Sequence, residues 1–272
     1  MKGPPDREAA FPGIGKALLL VLALWMCELL VFAAIRSAGW IDGGEPLQAW
    51  VFSALLGNGM LLATWLTRYG IGYREVIHPG PASARATLGL VSLPLLSILP
   101  AVFLAAGVVQ TLLTQLVPMS ERQLKLFAEL LNGGPASLVA LVFVAPVLEE
   151  LFYRGIILRG LLRRYRRTNA LLLSSLIFGA AHLNLYQFVG GGLVGLLLGW
   201  LYIRFRSTLP GMFFHAIYNA AFLALALSGS EDNAGFFDAV PASLWFAALP
   251  LLAAGGYALA RLARRAQAPA ST

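Results

Sequence analysis

Eight long stretches of this chain carry almost no charge: about 15–35, 48–67, 86–108, 136–153, 169–183, 188–203, 208–228 and 240–260. A helix needs about 20 apolar residues to cross about 30 Å of hydrocarbon, and it satisfies its own backbone while doing so. The pattern predicts an all-α, polytopic membrane fold with about eight transmembrane helices, the fifth and sixth being the shortest. A soluble domain of 272 residues has no core large enough to hide a composition that is 58% hydrophobic and only 12% charged, with a mean hydropathy of +0.75.

Basic residues are retained on the cytoplasmic side of a membrane. If the eight spans alternate, all but three of the 20 Lys and Arg fall on one side, the exceptions being Arg36, Arg122 and Lys125. Both termini are therefore expected in the cytoplasm, and the first run, with Lys16 ahead of it, reads as an uncleaved anchor. The net charge of +7 sits in short loops next to anionic headgroups, with LLRRYRR at 161–167 as a headgroup contact, so no nucleic-acid partner is implied. High Ala, Gly and Arg usage points to a GC-rich bacterium, whose inner membrane is then the expected location. The single cysteine, Cys27, lies within the first span and can form no intramolecular disulfide.

No repeat or composition break divides the chain, so one membrane-embedded domain is expected over 1–272, with flexible tails at 1–13 and 266–272. The tract 110–135 mixes polar residues with Leu at helical spacing before a Gly-Gly-Pro stop, which predicts an interfacial amphipathic helix. Gly191, Gly195 and Gly199 line one face of the sixth span and serve close helix packing.

Against this background the intramembrane ionisable groups stand out, because a charge at the bilayer centre costs about 2.5–3.5 kcal/mol on insertion scales. They are Glu28, Glu149, Glu150, Arg154, His182 and His215. Glu150 and Arg154, at i and i+4, share a helix face and can neutralise each other. Glu149 points about 100° away around the helix and meets a different neighbour. Two further polar pairs follow at the same spacing: Phe178 with His182 in FGAAH, and His215 with Asn219 in HAIYN. At 1.5 Å per residue, Glu149, His182 and His215 lie about 15, 20 and 14 Å from the cytoplasmic ends of their spans. Their similar depth on three different spans predicts a buried polar site, with Glu149 as one wall of it.

A carboxylate, two imidazoles and an amide make a set that hydrolyses amides without a covalent intermediate. Glu149 with His182 can activate a water as general base, while His215 and Asn219 can donate hydrogen bonds to the oxyanion formed at the carbonyl. The motifs EELFYR at 149–154, FGAAH at 178–182 and HAIYN at 215–219 resemble the EExxxR, FxxxH and HxxxN motifs of the CAAX protease and bacteriocin-processing family, and the resemblance covers a motif-bearing core over about 136–225. The resemblance implies a glutamate-dependent intramembrane endopeptidase of eight helices acting on a peptide or protein; whether that substrate is prenylated or membrane-anchored does not transfer with the motifs. It likens Glu149 to the water-activating residue, His182 to its partner, His215 and Asn219 to the oxyanion pair, and Glu150 and Arg154 to supporting positions, with no cofactor.

Other chemistries fit parts of the pattern. Glu149, His182 and His215 are also a zinc-ligand set, but no HExxH is present and Asn219 is a poor zinc ligand. A non-catalytic immunity or adaptor protein would use the same groups as hydrogen-bond glue between helices. A transporter would show inverted repeats or broken helices, which the sequence lacks. His78 reads as a solvated loop residue, Glu28 as snorkelling or pairing with a neighbour, and Asn184 as a helix cap.

Overall fold

The computed structural model describes residues 11–40, 46–132, 134–228 and 236–267. Helices follow one another as α1 (Ile14–Ser37), α2 (Pro46–Tyr69), α3 (Tyr73–Ile77), α4 (Ala84–Leu116), α5 (Glu121–Asn132), α6 (residues 134–162), α7 (Arg167–Ala180), α8 (Leu185–Phe205), α9 (Leu209–Ser228), α10 (Phe236–Ala239) and α11 (Ala242–Gln267), with no strand among the described residues. Most of the expected tails, 1–10 and 268–272, lies outside the described residues.

Six helices are long and apolar enough to cross a bilayer: α1, Ala49–Tyr69 of α2, α4, α8, Leu209–Leu227 of α9 and Ala242–Ala266 of α11. Their exposed faces are apolar, with Leu18, Leu19, Leu22, Leu29 and Leu30 turned outward from α1 alone, as lipid contact requires. Two of the eight expected spans are not among them. The span at 169–183 is α7, whose 14 residues reach about 21 Å, short of the hydrocarbon thickness. The span at 136–153 falls in α6, where π-helical turns at Ala140–Val144 and Glu150–Leu158 break the α-helical register.

The first of those π turns has a cause in the sequence. Pro146 has no N–H to give, and its ring clashes with the carbonyl four residues back. The helix widens ahead of it instead, so that the Ala145 N–H bonds to the Ala140 carbonyl, five residues behind. The second π turn closes in the same manner, with the Arg159 N–H on the Arg154 carbonyl.

The expected amphipathic tract over 110–135 divides in two. Nothing before Val117-Pro118 stops α4, which therefore runs on to Leu116. Helix α5 restarts with a capping box, in which the Gln123 N–H reaches Ser120 Oγ at 3.4 Å and the Ser120 N–H donates to Gln123 Oε1 at 3.0 Å.

The chain forms two compact units, each assembled from two stretches. The first comprises 1–77 and 120–174, the second 78–119 and 175–272. In the first, α1 packs along α2, and the short α3 lies against α6. Val76 of α3 is fully buried, and a Cβ on Gly155 would stand 2.2 Å from its Cγ1, so only glycine fits there. Residues 11–13 cross the far end of α6: a Cβ on Gly160 would come within 2.3 Å of the Pro12 carbonyl oxygen. Phe11 is held between the guanidinium groups of Arg159 and Arg163, at 4.1 and 4.2 Å from its ring centre. Arg159 Nη1 also donates to the Glu75 carbonyl at 2.7 Å.

In the second unit, α4 is the central element, with α8, α9 and α11 packed on it. Leu95 of α4, Leu198 and Leu201 of α8 and Phe214 of α9 are completely buried in this core. At its other end α4 is tied to the start of α8, since Gln110 Nε2 donates to the Tyr186 carbonyl at 2.6 Å and the Tyr186 hydroxyl donates to the Val117 carbonyl at 2.7 Å.

Candidate functional site

The candidate residues fall on α6 in the first unit and, in the second, on the last turns of α7 with the residues that follow it and on α9, and each group is built by its own local packing. On α6, Glu149 is the last residue of the α-helical turn and Glu150 the first of the wider π segment. Such irregular turns recur at functional sites because they re-aim side chains that a regular helix would space evenly. Glu149 is half-buried, whereas Glu150 and Arg154 are completely buried. Their contact is short, Arg154 Nη1 donating to Glu150 Oε1 at 2.6 Å. The i, i+4 ion pair expected from the sequence is therefore present inside the protein.

On the second unit, α7 ends at Ala180 and the chain turns sharply through His182 and Leu183 before α8 begins. The His182 Nδ1 lies 2.9 Å from the Phe178 carbonyl oxygen. A carbonyl can only accept, so the contact puts the imidazole proton on Nδ1 and leaves the Nε2 lone pair for other work. Leu183 takes a left-handed conformation, φ 56°, which is strained for a side chain of that size. Asn184 caps α8, its Oδ1 accepting from the Gln187 N–H at 2.8 Å, and its Nδ2 reaches the His182 backbone carbonyl and not the ring. The cap reading of Asn184 holds.

Phe178 organises the two histidines. It is 1% exposed, and its ring meets His182 edge-on at 5.1 Å and His215 edge-on at 5.9 Å between centroids. His215 is buried on α9, and Asn219 follows one turn later on the same face. The structure thus brings His182 and His215 together around one aromatic ring. The four-residue spacing of Phe178 and His182 was visible in the sequence, but the second contact, with His215, depends on how α7 packs against α9.

Glycine sets the distance between α7 and α8. A Cβ on Gly179, inside FGAAH, would lie 2.5 Å from the Phe188 carbonyl oxygen and 3.2 Å from the Gly192 nitrogen, both backbone atoms that cannot rotate away. Gly191 then sits beside His182, with room for ordinary contact at 3.6 Å. His78 stays in its loop, Nε2 bonded to the Ala82 carbonyl at 2.5 Å.

Fold and composition together define a multi-pass helical membrane protein. Residues 132–221 match the family model for Rce1-like proteins, described as type II CAAX prenyl endopeptidase. That stretch contains EELFYR, FGAAH and HAIYN, and the match bears out the resemblance to the CAAX protease and bacteriocin-processing family. Neither the curated proteins nor the solved structures include a match to the chain.

Proposed function

We propose that this protein is an intramembrane endopeptidase that hydrolyses a peptide bond near a lipid-linked or membrane-inserted segment. The observation that carries this reading is the family match over 132–221, which takes in all three polar motifs in order. In the proposed reaction Glu149 takes a proton from water as the water oxygen attacks the substrate carbonyl, with His182 as its partner. The bared Nε2 of His182 supports that role, since a neutral imidazole can accept a hydrogen bond from the same water. His215 and Asn219 donate to the developing oxyanion. Glu149 then returns the proton to the leaving amine.

Glu150 and Arg154 support the chemistry without touching the substrate: a buried pair one turn long fixes the rotation of α6 and with it the direction of Glu149. The substrate class is a peptide with a hydrophobic or prenylated anchor, because such an anchor delivers the scissile bond to a base held at membrane depth. The proposed topology has eight spans with both termini in the cytoplasm of a bacterial inner membrane, the all-but-three asymmetry of Lys and Arg being its support. In that topology the π-broken α6 and the short α7 cross alongside the six longer helices.

The test is cleavage of a quenched-fluorescence farnesylated peptide and a panel of hydrophobic leader peptides by the purified protein, its Glu149→Ala variant, and wild type with a zinc chelator. Activity that survives the chelator and disappears in Glu149→Ala supports the reading. Loss with chelator moves the protein to the zinc enzymes, with Glu149, His182 and His215 as ligands. Activity that survives Glu149→Ala refutes it.

A further inference from the structure

Three consecutive glycines, Gly190, Gly191 and Gly192, lie in the first half of α8, and each has different surroundings. A Cβ on Gly190 would stand 2.5 Å from Gln110 Nε2, so the tie between α4 and α8 needs that space. Gly192 serves the contact with α7, its nitrogen lying 3.2 Å from where a Cβ on Gly179 would be. At Gly191 the three nearest atoms are all on candidate-site side chains: His182 Cε1 at 3.6 Å, His182 Nδ1 at 3.7 Å and Phe178 Cε1 at 3.7 Å. Those are ordinary contact distances, so an alanine fits there without displacing anything. The close helix packing expected from the spacing of Gly191, Gly195 and Gly199 therefore does not account for Gly191.

Leaving the position bare is unfavourable, because glycine inside a helix is worse than alanine. Departures from local preference of this kind collect at functional sites. A second one adjoins the same imidazole: Leu183, 73% exposed, takes the left-handed backbone that glycine adopts freely. Gly191 is itself partly exposed, so the space beside His182 and Phe178 is open to the surroundings. His182 Cε1 is bonded to Nε2, the nitrogen whose lone pair the Phe178 carbonyl contact leaves bare. A molecule bound at Nε2 thus has the bare position at Gly191 within a side chain's reach.

We propose that Gly191 is a specificity-determining residue, and that the space it leaves beside His182 and Phe178 seats the side chain of the substrate residue whose carbonyl is attacked. The proposal rests on the reading of His182 as the partner of the attacking water. That water is held at Nε2, and the residue bearing the attacked carbonyl must lie next to it for the oxygen to reach the carbon. The walls of the seat are two aromatic ring edges, which suit an apolar side chain. A side chain added to the protein at 191 and a large one on the substrate compete for the same volume.

Full-length wild type, Gly191→Ala, Gly191→Val and Glu149→Gln are compared in lipid nanodiscs. A hydrophobic or farnesylated peptide cut by wild type, its cleavage site fixed by mass spectrometry, is made in two forms with glycine or leucine at the residue whose carbonyl is attacked. Gly191→Ala is expected to melt at or above wild type, by up to about 4 °C, as alanine does in a helix with room for it. Its loss of kcat/KM is expected to be about tenfold or more greater for the leucine peptide than for the glycine peptide, the usual discrimination for one carbon in an apolar seat. Gly191→Val is expected to widen that ratio. A melting temperature of Gly191→Ala below wild type shows that a neighbouring helix needs the space, and overturns the proposal. Equal changes for the two peptides also overturn it. Full activity in Glu149→Gln overturns the peptidase mechanism instead, and the ratio of the two peptides still decides the seat. If no peptide is cut, binding is read by fluorescence anisotropy on labelled peptides scanned with glycine and leucine at each position. A position at which Gly191→Ala weakens only the leucine form supports the proposal, and the absence of any such position overturns it.

Discussion

Replacing Glu150 by Gln removes one charge from a buried pair and changes little else in shape. The consequence follows from the geometry, because Glu150 and Arg154 are fully buried and their charged atoms are 2.6 Å apart. At an effective dielectric of about 20, unit charges at that separation attract by about 6 kcal/mol. Desolvating the two ions offsets most of this, each penalty being several kcal/mol, so the intact pair adds little net stability. Removing one partner forfeits the attraction and leaves the desolvation of the other, a loss of about 3–5 kcal/mol. At about 2–4 °C per kcal/mol for a chain of this size class, Glu150→Gln is expected to melt roughly 6–20 °C below wild type. Arg154→Met is expected to fall by a similar amount, and the double variant to recover most of the loss, because it buries no charge. The assay is thermal unfolding in detergent followed by the fluorescence of the six tryptophans, arranged as a double-mutant cycle. A Glu150→Gln protein that melts with wild type, or a double variant whose loss is the sum of the two single losses, would refute the reasoning.

The other packing features make their own predictions. Gly179→Ala forces α7 away from the backbone of α8 and is expected to destabilise the protein by about 1–3 kcal/mol, measured by the same melts, with peptide cleavage falling alongside as His182 is displaced. Gly160→Ala displaces the Pro12 backbone and is expected to expose the stretch near Phe11 to limited proteolysis, a cut that wild type resists. His215→Ala and Asn219→Ala are each expected to lower kcat by about 10²–10³ in the peptide assay, the usual loss for one oxyanion donor.

The sequence made the helices legible because a membrane span is a matter of composition and length, and the six long helices match six of the predicted runs closely. What it concealed was α6. Its apolar run gives no sign that two π-helical turns interrupt it, even though Pro146 stands at the first, because a proline in an apolar run is as compatible with a kink as with a widened turn. The end of α4 was misplaced for a simpler reason: polar residues from Gln110 on suggest an interface, while the backbone has no cause to stop before Pro118. In the candidate site, the Glu150–Arg154 pair was readable from i, i+4 spacing, since both partners lie on one helix. The Phe178–His215 and Glu28–Asn58 contacts were not. Each joins residues about 30 or more positions apart, and their meeting depends on which faces of two apolar helices pack together, something a uniformly apolar sequence leaves open.

The central claim, that Glu149 activates a water and forms no bond to the substrate, is tested most directly by a single turnover in heavy-oxygen water. With enzyme in excess over a cleavable peptide, both the product and the α6 peptide containing Glu149 are analysed by mass spectrometry. The account predicts heavy oxygen in the new product carboxylate and none in Glu149. Label in the Glu149 side chain would contradict it, because it would show a glutamyl adduct opened by water.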